Sequence, residues 1–382
     1  MELLKYDLDD LAEDFFYGSM PKEEDFCDEG YPVFSGYRIV GYSSKFNIKE
    51  RTLVVVARGV GGTGDVAIAG EKTFLTNLAI AIPIKNNLAN IDYLKYYLNI
   101  QGLRYLDSGA AQSQITINNL RHHKVFIPDI HVQNRIANVL ATYDNLIEVN
   151  NKRIKVLEQM AENLYKEWFV RFRFPGHESA PFENGLPKGW KIKRVDAIGE
   201  VIGGGTPSTN VDSFWNGTIP WLTPADLSNT NRILIRRGST NISSEGLKRS
   251  GATMMPPDTV LVSSRAPVGY LAIAANPICT NQGFKSIVCF EGKTSPYYLF
   301  FFLRSNREML QNYATGATFP ELSGNRMKKI KILVPDYQIQ HRFETIAKEI
   351  ICEMDKLEEA NDLLKHQRDL LLPRLMSGKL EV

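Results

Sequence analysis

Metal and disulfide chemistry are both poorly provided for in this chain. The four cysteines among 382 residues, Cys27, Cys279, Cys289 and Cys352, sit at spacings that fit neither a CxxC pair nor a zinc ligand set, and they read as free thiols. The six histidines form no HExxH motif and no i, i+4 pair, so a helix-borne metal site has no ligands and no metal is expected. No apolar run approaches the ~18 residues of a membrane span. The opening Met1-Glu2-Leu3-Leu4-Lys5-Tyr6-Asp7 lacks the basic-then-apolar order of a signal peptide, so the expected location is the cytoplasm with no membrane partner. A net charge of +2 carries no overall basic signature of nucleic-acid binding.

Catalytic motifs are missing as well. Gly64 to Thr73 resembles a phosphate-binding loop, but Glu71 separates Gly70 from Lys72 and spoils the Gly-Lys-Thr run that aims lysine at a phosphate. Asp258 with Glu291 and Lys293 mimics a nuclease's acidic pair plus lysine, yet Glu291-Gly292-Lys293 reads as a turn. Met255-Pro256-Pro257-Asp258 lacks both the amide and the aromatic residue of an Asn-Pro-Pro-aromatic methyltransfer motif.

What the chain does have is an internal repeat. Ile127-Pro128-Asp129-Ile130-His131-Val132-Gln133-Asn134-Arg135 returns 207 residues later as Val334-Pro335-Asp336-Tyr337-Gln338-Ile339-Gln340-His341-Arg342. The same shift carries Leu157 onto Leu364, Leu164 onto Leu371, and Asp107-Ser108-Gly109-Ala110 onto Ala314-Thr315-Gly316-Ala317. With small length changes, Arg58-Gly59-Val60-Gly61-Gly62 faces Arg265-Ala266-Pro267-Val268-Gly269, and Thr76-Asn77 faces Thr280-Asn281. This period far exceeds that of a solenoid, whose repeats run about 20–50 residues. The chain therefore divides into a globular domain over 1–130, a long helix over 131–173, a linker over 174–187, a second domain over 188–335 and a terminal helix over 336–382.

Both helical segments carry apolar residues at alternating steps of three and four. The first has Leu140, Tyr143, Ile147, Ile154, Leu157, Ala161, Leu164 and Trp168, with Asn150 as a polar member of the seam. The second has Ala347, Ile350, Met354, Leu357, Leu364, Leu371 and Leu375, with Asn361 and Arg368 as polar members, and Pro373 is expected to end or kink it near Leu372. A heptad seam needs a partner, and the pseudo-two-fold repeat makes the other copy the natural one, in antiparallel sense. The competing reading has each helix packed on its own domain.

The globular parts read as short strands with Gly, Pro, Asn and Ser turns: Leu53–Ala57, Ala79–Ile82, Val260–Val262 and Ser286–Phe290 as buried strands, Ile91–Leu98 and Pro296–Arg304 as helices. The fold class is mixed α/β: two α/β domains joined by two long antiparallel coiled-coil helices. Loops between strands hold hydroxyls, amides, glycine and a single arginine, residue types suited to base edges and phosphates. They nominate Arg58, Gly61, Gly62, Thr63 and Asn77 in the first domain. In the second they nominate Thr206, Ser208, Thr209, Trp221, Ser264, Arg265, Asn281, Gln282, Thr318 and Lys328. For Arg58 and Arg265 a cap on a buried carbonyl or carboxylate is an equally open reading.

Charge is unevenly placed. Residues 1–30 hold eleven carboxylates against Lys5 and Lys22, whereas Arg232, Arg236 and Arg237 belong to a basic group in the second domain. Arg121-His122-His123-Lys124 and Lys328-Lys329-Ile330-Lys331 occupy matching places in the two repeats, either as solvated faces or as a duplicated surface for a phosphate backbone.

Leu363 to Leu380, with its Leu370-Leu371-Leu372-Pro373-Arg374-Leu375-Met376-Ser377-Gly378-Lys379 core, resembles the C-terminal helix of specificity subunits of Type I restriction-modification systems. Leu186-Pro187-Lys188-Gly189-Trp190, Gly204 to Thr209, and Ile219-Pro220-Trp221-Leu222-Thr223-Pro224-Ala225-Asp226-Leu227 resemble the start of that family's target-recognition domain. The first domain departs from the pattern: it has no Leu-Pro-x-Gly-Trp opening and starts acidic, which points to a different sub-class of recognition domain there. The resemblance implies a non-catalytic reader of bipartite double-stranded DNA that recruits two methyltransferase and two restriction subunits. S-adenosylmethionine, ATP and magnesium would belong to those partners, leaving no cofactor in this chain. A two-headed adaptor for a protein or glycan, and a nuclease or methyltransferase in its own right, are the rival classes; the missing motifs count against the latter.

Overall fold

A computed structural model describes residues 2–36, 38–59, 62–109, 113–265, 267–316 and 320–382. The chain forms two compact units, Met1–Glu148 with Asp362–Val382, and Val149–Asn361. Among the described residues no helix is long and apolar enough to cross a membrane.

In the first unit the run Leu53-Val54-Val55-Val56 is apolar at every position because both of its faces are covered; its strand, Thr52–Val56, is buried throughout. It lies between Ala79–Ile82 and Val66–Ala69, and Phe16–Tyr17 completes a four-stranded sheet. A second sheet contains Phe26–Cys27, Arg38–Ser43, Tyr31–Ser35 and Phe74–Leu75, the last two parallel. The helix Ile91–Gln101 buries Tyr93, Leu94, Tyr96, Tyr97 and Leu98 against the core.

The second unit repeats this plan with additions. Gly199–Gly203, Lys285–Cys289, Val260–Val262 and Leu271–Ala274 follow one another in the order of their first-unit counterparts, and Leu234–Ile235 is added at the edge. The second sheet has Trp215–Leu222 between Thr240–Ile242 and a parallel Cys279–Thr280. Helix Pro296–Ser305 takes the place of Ile91–Gln101. The six strands and helices expected from the sequence all form, with ends shifted by a few residues.

The repeat extends to individual hydrogen bonds. Gln133 is fully buried; its amide donates to the Pro128 carbonyl at 2.8 Å and accepts from the Asn90 N–H at 2.9 Å. Gln340, also fully buried, donates to the Pro335 carbonyl at 2.8 Å and accepts from the Ser295 N–H at 3.0 Å. Asn90 and Ser295 are the N-caps of the two domain helices. Each long helix thus starts tied to the domain helix beside it. Asp129 and Asp336 support the starts further, accepting from the N–H groups of His131 and Gln338 at 2.9 Å each.

The long helices are Ile130–Tyr165, closed by a π-helical turn at Lys166–Val170, and Tyr337–Met376. In the first unit Leu140 shares a core with Leu375 and Met376, and Arg368 donates to Asp144 at 2.6 Å. In the second unit Asn150 donates to Asn361 at 2.9 Å, Asn361 donates to Asn151 at 3.0 Å, and Arg153 reaches Glu353 at 3.2 Å. As one number rises the other falls, so the segments within each unit run antiparallel. Of the expected seam, Leu140, Ile147, Met354 and Leu357 are buried, while Tyr143, Asn150, Ile154, Leu157, Leu164, Ile350, Leu364 and Leu371 are half-buried.

The seam is also wider than a heptad stripe. Phe343, Ala347 and Ile351 are buried in the second unit's core with Tyr165, Phe169 and Phe301, because this stretch packs on its own domain as well as on its partner helix. The alternative of packing on the domain is therefore part of the answer. Pro373 does not stop the helix at Leu372; the helix continues to Met376 and closes with the Leu380 N–H on the Arg374 carbonyl at 3.1 Å.

Gln133→Leu and Gln340→Leu should each destabilise one unit by about 1–3 kcal/mol for every buried partner left unpaired. Denaturant unfolding followed with a probe in each unit measures this. Equal loss in both units from a single substitution would contradict the assignment.

Candidate nucleic-acid interface

Four loops of the second unit meet at one place, and backbone bonds hold them there. The Gly205 N–H reaches the Thr280 carbonyl at 2.9 Å, the Ser264 N–H the Gly283 carbonyl at 2.7 Å, and the Leu322 N–H the Ser264 carbonyl at 2.9 Å. Gly204 permits the approach: a Cβ there would lie 2.1 Å from the Asn281 carbonyl oxygen. The Thr206 hydroxyl donates to the Gln282 side-chain carbonyl, and Asn281 accepts from the Gly283 N–H at 2.8 Å. Thr206, Ser208, Thr209 and Gln282 are exposed, and Arg265 and Asn281 are half-buried. Lys328 is exposed on the short helix Gly324–Lys329.

Trp221 and Ser264 stand under these loops rather than on them. Trp221 is buried edge-on against Trp215, and its indole N–H donates to the Gly205 carbonyl at 3.0 Å, fixing the glycine loop from below. The hydroxyls of Ser264, Thr280 and Ser286 are buried with no hydrogen-bond partner among the described residues. Lys285 was not nominated by the sequence. Its ammonium donates to the carbonyls of Gln282 and Phe284 at 3.1 Å each, and burial together with the nearby Arg265 charge holds its pKa below the usual lysine value, against the pull of Glu321. A lone lysine opening a strand gives no sequence signal.

In the first unit the corresponding loops also come together. Arg58 and Gln114 form an isolated antiparallel bridge, and the Arg58 N–H donates to the Leu78 carbonyl at 3.2 Å. The Arg58 side chain is exposed, with its guanidinium 5.8 Å from the Tyr17 ring centre, and among the described residues it has no carboxylate or carbonyl partner. Asp107 accepts from the Ser113 hydroxyl and from the N–H groups of Gly109 at 3.0 Å and Gln114 at 2.8 Å, bonds that hold its carboxyl below the usual range. Asn77 is half-buried; Gly62 and Thr63 are buried, and the Thr63 hydroxyl donates to the Gly59 carbonyl at 3.1 Å. Gly61 and Thr318 lie outside the described residues.

Much of the basic charge read from the sequence is used internally. Arg236 makes a two-pronged pair with Asp355 at 2.6 and 2.5 Å and reaches Glu359 at 3.3 Å, while Arg232 contacts Glu358; both fasten the domain to the second long helix. In the first repeat's cluster, Arg121 pairs with Asp9 at 2.7 Å and Lys124 with Asp7, so the acidic opening neutralises the basic surface expected there. Asp258, whose spacing only mimics half of a nuclease's acidic pair, contacts Tyr297 and Lys348 at 3.3 Å each.

The described residues contain no cluster of His, Cys, Asp and Glu able to hold a metal. The loops offer amides, hydroxyls and cations on a rigid sheet frame. The family model for the Type I restriction modification DNA specificity domain matches residues 3–159 and again 187–371. The chain belongs to that family. The domain that the chain contains twice is a DNA specificity domain. It is 38% identical over 199 residues to the Type I restriction enzyme MjaIX specificity subunit of Methanocaldococcus jannaschii, a match that covers 52% of this chain and 46% of that one. This chain therefore spans about half the length of that relative. The HindI specificity subunit of Haemophilus influenzae is 24% identical over 329 residues, covering 70% of this chain and 71% of its own. Among solved structures, the S subunit of a Type I restriction-modification system from M. genitalium superposes with a TM-score of 0.72 at 18% identity, covering 98% of this chain and 96% of that chain; it shares the fold.

His123 of this specificity subunit is buried, with the Tyr105 hydroxyl 2.6 Å from Nδ1, and burial pushes its pKa down. The folded value lies below the unfolded one, so the stability it contributes is present above pH ~6.5 and is lost as pH falls below that through the folded value. The melting temperature of the first unit should decline from pH 7 to pH 5.5 in the wild type and decline less in His123→Gln; parallel pH curves would refute this.

Proposed function

We propose that the subunit reads a bipartite target in double-stranded DNA, one half-site per unit, and that it does so in the cytoplasm as the scaffold for two methyltransferase and two restriction subunits. Those partners supply S-adenosylmethionine, ATP and magnesium, and no residue here is assigned to them. The observation that carries the reading is the equivalence of the two loop clusters. In each unit the arginine loop, the Thr-Asn loop and the loop following the domain helix converge, with exposed or half-exposed Arg58 and Asn77 in one and Arg265, Asn281 and Gln282 in the other. Arginine matches the paired acceptors of guanine, and an amide matches adenine.

Arg58→Ala and Arg265→Ala should each relax recognition in a different half-site by ~1–3 kcal/mol, leaving the other half unchanged. Mapping methylated adenines in a host that carries the subunit with its methyltransferase reads this directly. Loss of both halves together with a lowered melting temperature would identify the arginines as structural. Binding without salt dependence would favour an adaptor for another ligand.

The long helices set the unread spacer in this reading. The Asn150–Asn361 contact identifies facing positions, so one heptad inserted after Asn151 and another before Ala360 would keep the pair in register. The addition is ~10 Å at 1.5 Å per residue, about three base pairs. The preferred spacer should grow by that amount with both half-site sequences intact; an unchanged spacer in a folded variant would exclude the helices as the ruler.

A further inference from the structure

A second polar concavity lies in the second unit, outside the loops nominated above. It encloses about 510 Å³, and Asn216, Arg237, Ser239, Thr240 and Asn241 line it with two glycines. No carboxylate is among its described lining residues. Its shape comes from a bulge: Trp215 and Ile219 both oppose Ile242, so the strand Trp215–Leu222 bows away between them. Bulges of this kind re-aim side chains. Asn216, at the bow, has a left-handed backbone with φ 57° and an exposed side chain.

The opposite wall is equally fixed. Gly238 passes so close to the strand that a Cβ would lie 2.4 Å from the Trp221 carbonyl oxygen. The Asp226 carboxylate holds the turn by accepting from the N–H of Ser239 at 2.9 Å and of Thr223 at 2.7 Å. On this rigid turn, two consecutive arginines have opposite fates. Arg236 is locked by Asp355 and Glu359. Arg237 is exposed at the concavity, with no ion pair among the described residues. The same strand ties the concavity to the glycine loop, since the Trp215 indole N–H donates to the Ser208 carbonyl at 3.0 Å.

We propose that Arg237, with Asn216 and Asn241, is a base-reading subsite of the second half-site, separate from Arg265 and resting on the function proposed above. An unpaired guanidinium fork flanked by two amides suits a step containing guanine and adenine in the major groove, the fork on guanine O6 and N7 and an amide on adenine N6 and N7. The same fork also fits a phosphate, but a phosphate contact carries no sequence information, so relaxation at particular positions is the discriminating property. Among the described residues the first unit has no counterpart, because only two residues separate the strand Tyr31–Ser35 from its antiparallel neighbour Arg38–Ser43.

The test is methylation mapping in a host carrying the subunit and its methyltransferase, with binding of the reconstituted complex to oligonucleotide panels. Arg237→Ala should relax one or two positions of one half-site and weaken cognate binding about 5- to 150-fold, with the other half-site and the spacer intact. Arg237→Lys keeps the charge and loses the fork, and it should relax the same positions. Asn241→Asp should disturb a neighbouring position. The inference is overturned if Arg237→Ala leaves sequence and affinity unchanged. It is likewise overturned if affinity falls uniformly over all sequences with no position relaxed, the behaviour of a phosphate contact. A wild-type complex that methylates no bipartite sequence would instead sink the proposed function.

Discussion

Two buried glutamine amides decide how this molecule can be built. A glutamine at the start of a helix and buried to zero exposure is tolerable only if its donor and its acceptor are both used. Here each spans two elements, donating to the proline carbonyl that precedes its own helix and accepting from the cap of the domain helix. The start of each long helix is therefore tied to its domain by one buried side chain, with Asp129 or Asp336 beside it. Within the first unit, the packing of Leu140 with Leu375 follows from that tethered start.

Around this shared frame the two units diverge in their second sheets. The four central strands keep their order in both, but the second sheet differs in its connections. In the second unit a long excursion between Trp215–Leu222 and Thr240–Ile242 carries a helix, an added edge strand and the turn at Arg237. In the first, a hairpin replaces it, and exposed Ile39, Val40 and Tyr42 occupy the strand. Conserving the frame keeps the glutamine geometry, and varying the loops changes the surface.

Periodicity and repetition made the elements legible from the sequence. Thr52–Val56 is apolar on both faces because it is central, and the 207-residue shift aligned the loop pairs that the fold brings together. Side-chain roles were legible only where they are local. Arg236 and Arg237 are indistinguishable in sequence, and their difference depends on Asp355, over a hundred residues away. Trp221 was nominated with the loop residues, but its burial under Gly205 follows from a sheet pairing that no local pattern encodes. Lys124 looked basic until Asp7 came beside it.

The discontinuity of the first unit has a consequence during synthesis. Its core includes Leu375 and Met376, packed with Ile136, Ala137 and Leu140. A ribosome makes the chain from its beginning at about 5–20 residues per second, and domains tend to fold as they emerge. The second unit, Val149–Asn361, is contiguous and can close as soon as it is complete. The first must wait with part of its apolar helix face uncovered until the last segment arrives, more than 200 residues after Leu140 was joined. The half that is translated first is the half that is finished last.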